Sequence, residues 1–202
     1  MLSFEPNPNA TPIDLIREDE LESWLSEQDP STRAWVEGSD FQAKANQWIR
    51  LPGRDGDQAR ILAGGGTELS LASIGSLPRL LPKGDYSLDT ANSTVVLGWG
   101  LGAYQFDRYK STGKPPPTLH VREAHDHLRE IITAVALGRD LINTPTSDML
   151  PHDLEGAARK LAIKHDAAIE VTTGDALLVA GYNVIHAVGR ASVSAPRLID
   201  IT

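Results

Sequence analysis

No cysteine occurs in the chain, and that one absence excludes disulfides, thiolate zinc sites and a cysteine nucleophile together. No apolar run approaches the roughly 18 to 20 residues of a membrane span. The opening residues, Met1-Leu2-Ser3-Phe4-Glu5-Pro6-Asn7-Pro8, carry neither the basic start nor the apolar core of a secretory signal, so a cytoplasmic protein is expected. Basic residues are in deficit: 19 Lys and Arg against 27 Asp and Glu give a formal charge of −8. That balance disfavours phosphate backbones and anionic membranes, so neither nucleic acid nor membrane is an expected partner. Wholesale disorder is excluded too, because 41% hydrophobic and 23% charged residues are ordinary values for a folded chain. A length of 202 residues gives room for one sizeable domain, or one and a part.

What is present is most orderly in the second half. Val121, Ala124, Leu128, Ile131, Ile132, Val135, Leu141 and Ile142 recur at three- and four-residue spacing, which predicts a helix from about Val121 to Ile142 with one buried stripe. Asn143-Thr144-Pro145 closes it, since Pro145 disfavours helical angles at Thr144 and Asn143 can bond its own backbone. Pro151 suits the first position of a new helix, and Leu154, Ala157, Ala158, Leu161 and Ala162 carry that helix to about His165. Ala168-Ile169-Glu170-Val171 reads as a strand. Asp175 can cap a helix through Val179, ended by Gly181. A short helix over Val184–Val188 and a strand over Arg197–Ile201 follow. This alternation of helix and strand predicts a parallel sheet.

The first half is less regular. Residues 1 to about 12, rich in proline, read as an arm without a regular element. The spacing from Ile13 to Gln28 predicts a helix, with Leu21, Trp24 and Leu25 on one face and Asp29-Pro30 as its stop. A shorter helix spans Thr32–Val36 and ends at Gly38. Ala45–Leu51 and Ala59–Ala63 form a hairpin through the turn Pro52-Gly53-Arg54-Asp55-Gly56-Asp57. The glycines of Gly64-Gly65-Gly66-Thr67 are followed by an apolar stretch, Leu69 to Leu77, predicted to be helical before Pro78. Tyr86–Leu88 is extended. Over Thr94–Tyr109 strand and helix are nearly tied, because each glycine at 98, 100 and 102 lowers helix propensity by about 1 kcal/mol. Ser111-Thr112-Gly113-Lys114-Pro115-Pro116-Pro117 is a stiff linker of polyproline character, and the domain boundary is placed there.

Few residues are candidates for chemistry. His125 and His127, with Asp126 and Glu123 beside them, form the one tempting metal cluster. Helix residues two apart point about 200° away from each other and cannot grip one ion, so a solvated face is the reading. His120 lies at the exit of the proline run and His165 at a helix end that favours a cation. His152 lies in a first turn that mildly disfavours one. Ser192, Ser194 and Thr202 have no Gly-x-Ser-x-Gly elbow and no legible triad; they are loop residues. Arg139 and Asp140 suit a buried hydrogen-bonding role better than catalysis. Gly64–Thr67 could face a phosphate with backbone N–H groups, but neither Gly-Lys-Ser/Thr nor Gly-x-Gly-x-x-Gly accompanies it.

Gly138-Arg139-Asp140-Leu141-Ile142-Asn143-Thr144-Pro145, with Asp148-Met149 and Pro151, resembles the hallmark that opens the catalytic domain of leucyl (cytosol) aminopeptidases. Ile185-His186-Ala187-Val188-Gly189-Arg190-Ala191-Ser192 and Ala195-Pro196-Arg197-Leu198-Ile199-Asp200 resemble the segment that immediately precedes the metal site in that family, in the same order and separation. The run Gly102-Ala103-Tyr104-Gln105-Phe106-Asp107-Arg108-Tyr109 resembles its Gly-x-Tyr-x-Phe-x-x-Tyr helix, which selects helix over strand there. The resemblance implies an α/β fold: a macro-like α/β domain with a mixed sheet over 1–117, a linking helix over 118–142, and the beginning of the catalytic domain over 143–202. It implies an enzyme that removes N-terminal residues from peptides with a free N-terminus, a homo-hexamer at full length, and two divalent metals, zinc or manganese, that activate water. The metal-binding lysine, aspartates and glutamate of the family fall beyond Thr202. No catalytic, cofactor-binding or metal-ligating residue is therefore assigned within the chain, which alone is expected to be an inactive scaffold. His186 sits in a block that is structural support in the family. The alternative is a free-standing macro-like module that binds a nucleotide or ADP-ribose through Gly64–Thr67.

Overall fold

In a computed structural model, residues 1–53, 59–110, 113–122 and 126–202 are described. They divide into two units, Met1–Leu137 and Gly138–Thr202. Part of the turn expected at 52–57, the start of the linker at 111–112, and Glu123 and His125 lie outside the described residues.

The first unit is built on a six-stranded sheet: β1 Leu2–Ser3, β2 Thr11–Ile16, β3 Trp48–Leu51, β4 Arg60–Gly64, β5 Asp85–Leu88 and β6 Thr118–Val121, in the order β1-β6-β5-β2-β4-β3. All neighbours run parallel except β3, which returns antiparallel on β4 with Trp48 opposite Ala63 and Leu51 opposite Arg60. This is the expected hairpin, and the sheet is mixed.

Side-chain alternation explains why the inner strands are apolar on both faces. Ile61 and Ala63 of β4 join Ile13 of β2 in a cluster with Ile74, Leu77, Tyr86, Val95, Val96, Trp99, Leu119 and Leu128. Leu62 and Ile16 enter a second cluster with Val36, Phe41, Ala43 and Leu51. Trp99 is fully buried, and its indole N–H donates to the Met1 carbonyl at 3.1 Å. Asp14 on β2 is pushed above the usual carboxylate range by burial, offset by Arg60 at 2.9 Å. The Arg60 guanidinium also lies over Trp24 and donates to Gln28 Oε1.

Helices cover the sheet. α1 is Leu21–Ser26, and α2 is Pro30–Glu37, where Asp29 Oδ1 accepts from the N–H groups of Ser31 and Thr32. Trp35 of α2 donates its indole N–H to the Arg50 carbonyl on the edge strand β3 at 3.1 Å, which shields an otherwise open ladder. α3 is Leu77–Leu80, and α4 is Ser93–Gly102, capped by Asn92. α5, Asp126–Asn143, begins in this unit and ends in the next.

Several expectations for this unit are corrected. Residues 2–3 and 11–16 are strands, not an arm and a helix: Ile13 and Ile16 are buried because β2 is flanked by β4 and β5. The helix expected over 13–28 is reduced to α1. The stretch from Leu69 forms turns and turns helical only at Leu77, because the carbonyls of Leu71 and Gly75 pack directly on Gly98 and Gly102 of α4. α4 stops at Gly102, so Tyr104, Phe106 and Tyr109 lie past its end rather than on it. Val121 belongs to β6 rather than to the long helix, whose described residues are Asp126–Asn143.

The second unit contains the end of α5, α6 Pro151–Lys164, β7 Ile169–Thr173, α7 Ala176–Val179, α8 Asn183–Gly189 and β8 Arg197–Ile201. These elements match the expected positions closely, but the sheet does not. β7 and β8 pair antiparallel, with Thr173 opposite Arg197 and Ile169 opposite Ile201. A parallel crossover must carry the chain back along the full strand. Here α7 and α8 are short, and left-handed turns at Gly174 (φ 60°) and Gly181 (φ 83°) return the chain to the end it left.

Candidate functional site

The glycine loop after β4 is spent on the fold. Gly64 N–H donates to the Gln47 carbonyl, Gly65 N–H to Ile16 and Gly66 N–H to Ala43, at 2.7–2.9 Å. The buried Ser73 hydroxyl donates to the Gly65 carbonyl at 2.7 Å. An anion cradle needs N–H groups without protein acceptors, and these three have acceptors. Space is equally short: a Cβ on Gly64 would collide with the carbonyl groups of Ala43 and Lys44.

Of the described histidines, His120 and His186 are tied to structure by side-chain contacts. His120 joins β6 to its surroundings through Nδ1 and the Glu5 carbonyl (2.8 Å) and through Nε2 and Asp85 (3.3 Å). His127 is exposed on α5, His165 is exposed as the C-cap of α6, and His186 faces Asp175 at 3.3 Å. Arg139 is half-buried and Asp140 exposed, each with interaction partners. The Asp140 carbonyl seals the end of α5 by accepting from Thr144 N–H at 3.0 Å and Thr144 Oγ1 at 2.6 Å. The family hallmark therefore works here as a helix stop, followed by α6 beginning at Pro151 with Leu150 N–H donating to Asp153 at 2.9 Å.

One grouping was not legible from the sequence. Ser194, buried in the loop before β8, lies 3.0 Å from His152 Nδ1, and His152 Nε2 lies 3.5 Å from Asp153. The order of contacts is that of a Ser-His-Asp triad, but the hydroxyl is not free to attack. It accepts from His152 N–H at 3.2 Å and from Arg197 Nη2 at 3.4 Å, so its lone pairs are engaged. Beside it Glu155 accepts from Arg159 at 2.8 Å and pairs with Arg197. Hydrogen bonds from Arg159 and then Arg197 hold its carboxyl below the usual range. The grouping locks α6 to the start of β8. Its partners are 42 residues apart, and a loop serine carries no periodic signal that would announce them.

Among the described residues no group of three or more His, Asp or Glu is placed to hold a metal ion. The described residues therefore offer no ligand set for the two divalent metals implied by the resemblance. Among the described residues, too, no helix is long and apolar enough to cross a membrane.

A mixed α/β unit followed by a second, smaller α/β unit is the class that the geometry defines. A family model described as M17 aminopeptidase, N-terminal domain, matches residues 11–121, and one described as cytosol aminopeptidase family, catalytic domain, matches 136–202. The chain belongs to the M17 cytosol aminopeptidase family. A probable cytosol aminopeptidase of Geobacter sp. (strain M21) is 33% identical over 127 residues, covering 56% of this chain and 26% of the relative. Its counterpart in Corynebacterium efficiens is 28% identical over 190 residues, covering 83% and 38%. The solved cytosol aminopeptidase of Coxiella burnetii superposes with a TM-score of 0.86 at 31% identity, over 99% of this chain and 45% of that one. The chain thus spans less than half the length of the relatives it matches.

Proposed function

We propose that this chain supplies the first lobe and the opening elements of the catalytic lobe of a cytoplasmic metallo-aminopeptidase that removes N-terminal residues from peptides, and that alone it is a scaffold without turnover. The likeness over 99% of the chain to a solved cytosol aminopeptidase carries this reading, together with the two family matches in consecutive order. The two divalent metals, zinc or manganese, and the homo-hexamer belong to the parent enzyme in this reading. They are bound by residues other than the described ones of this chain. The alternative, a macro-like module that binds a nucleotide through Gly64–Thr67, gains no support from a loop whose glycine N–H groups already have acceptors.

The test is an assay of the purified chain on a leucyl-amide substrate with added manganese or zinc. Release at the buffer rate is expected; turnover above background would overturn the scaffold reading. A parallel titration with ADP-ribose is expected to leave the melting temperature unchanged, since binding to the native state would raise it.

A further inference from the structure

β1 is two residues long and lies at one edge of the six-stranded sheet, parallel to β6, with Leu2 opposite Leu119 and Ser3 opposite His120. The elements around it receive it residue by residue. The Met1 carbonyl accepts from Leu119 N–H at 2.9 Å and from the Trp99 indole N–H at 3.1 Å. Leu2 packs on the first core cluster and reaches the backbone of Gly100, where a Cβ would stand 3.3 Å from its Cδ1. Phe4 packs on the same cluster with the Arg129 guanidinium 5.1 Å from its ring centre, and the Glu5 carbonyl lies 2.8 Å from His120 Nδ1. β6, α4 and α5 thus form a seat for one extended stretch: ladder groups for its backbone, an apolar surface for Leu2 and a cation for the Phe4 ring. Between this stretch and β2 stands Pro6-Asn7-Pro8-Asn9, in which Pro6, Pro8 and Asn9 are exposed. Asn7 turns the chain there, its Oδ1 accepting from Asn9 N–H at 3.0 Å and its carbonyl from Ala10 N–H at 3.1 Å.

We propose that residues 1–5 exchange between two copies of this chain, each copy's segment docking on the outer edge of the other's β6. The seat takes a leucine and, two residues on, an aromatic ring; a second copy presents both by identity, so no new interface has to be built. That matters for a chain of formal charge −8, whose copies repel one another at a distance. The connection is suited to opening. Each proline fixes φ near −65° and lacks an N–H, so Pro6-Asn7-Pro8 passes to an extended polyproline form at little entropic cost. Residues 4–10 then reach about 23 Å, several times the roughly 4.8 Å between neighbouring strands, which suffices to cross between two sheets lying edge to edge. A strand of two residues also undocks as a local event, without unfolding of the sheet behind it. The proposal goes beyond the aminopeptidase reading and does not rest on it, because every residue it uses lies in the first unit.

Because the chain has no cysteine, an introduced disulfide reports this pairing without background. Ser3 and His120 are register partners on strands about 4.8 Å apart, inside the Cα range of a disulfide. With Ser3→Cys and His120→Cys in one 202-residue chain, oxidation should give a crosslinked monomer. With Ser3→Cys on one chain and His120→Cys on another, mixed at about 1 mM to match the effective concentration of a short tether, it should give a dimer joined between positions 3 and 120, identified by mass spectrometry. A Ser3→Cys and Arg50→Cys pair measures random collision, since β3 lies at the opposite edge of the sheet. The first pair should exceed it by about tenfold or more, as expected of docking rather than encounter. Adding Leu2→Asp to the Ser3→Cys chain should bring the dimer down to the collision level. A mixed pair that gives no more dimer than the Arg50→Cys control, or a Leu2→Asp chain that crosslinks as well as its parent, would overturn the proposal. So would a single-chain pair that does not crosslink, because β1 would then not occupy the edge of β6.

Discussion

Gly98 and Gly102 of α4 are positions at which a single methyl group should be costly. Each glycine in a helix interior costs about 1 kcal/mol relative to alanine, so alanine would be favoured wherever space allowed it. At Gly102 a Cβ would stand 2.8 Å from the Gly75 carbonyl carbon and closer still to its oxygen; at Gly98 it would stand 3.0 Å from the Leu71 carbonyl carbon, again nearer the oxygen. Those neighbours are backbone and cannot rotate away. Ordinary carbon contacts lie at about 3.5–4.0 Å, so the 71–75 loop must retreat by about 1 Å, at an overpacking cost of about 1–3 kcal/mol or more. The loop is itself pinned by Ser73, whose carbonyl accepts from Asn46 N–H at 2.9 Å, which puts the cost at the upper end. The net loss should be about 2 kcal/mol for Gly98→Ala and more for Gly102→Ala. Gly100 supplies the control, for there the obstacle is the end of the Ile132 side chain, which can change rotamer. Gly100→Ala should stay within about 1 kcal/mol of wild type. Urea unfolding followed by tryptophan fluorescence measures this unit alone. A Gly98→Ala midpoint at or above that of wild type would refute the packing account of why α4 carries glycines.

Other outcomes follow from single contacts. Asp29→Ala removes the acceptor of two N–H groups at the start of α2 and should cost about 1 kcal/mol in the same urea experiment; an unchanged midpoint would refute it. Asp40 is exposed with φ at 54°, so Asp40→Val should cost about 1–2 kcal/mol while Asp40→Gly should not. A valine variant as stable as the glycine one would show the strain to be absent. Glu155 titrates below its ordinary value of 4.5 through Arg159 and Arg197. Its contribution to stability is therefore present above that pH and lost as the pH falls through the folded value. A carboxyl carbon-13 titration with a midpoint at or above the ordinary value would contradict the network.

How much of this was legible depended on whether the decisive partner was near in sequence. Asn143-Thr144-Pro145 and Pro151 marked a helix stop and start because their effects are local, and α5 and α6 end and begin there. The β3–β4 hairpin was visible for the same reason. β2 was not: Ile13, Leu15 and Ile16 fit a helix through Trp24 until β4 and β5, from residues 60–64 and 85–88, enclose them on both sides. The direction of β8 also escaped, since periodicity gives the type of an element but not the end of the sheet at which the chain returns. The same reasoning explains why the site-like features dissolve. Gly64–Gly66 suggest a phosphate loop only while their N–H groups are assumed free, and the loop at 43–47, together with Ile16, takes those donors. Ser194 suggests a nucleophile only until Arg197 and the His152 N–H occupy its oxygen. What the second unit leaves in solvent is the aliphatic surface of Val184, Val188 and Val193. In that unit Ser194 bonds His152 and Arg197, and Arg197 pairs with Glu155, so these polar side chains hold one another rather than converge on an open site.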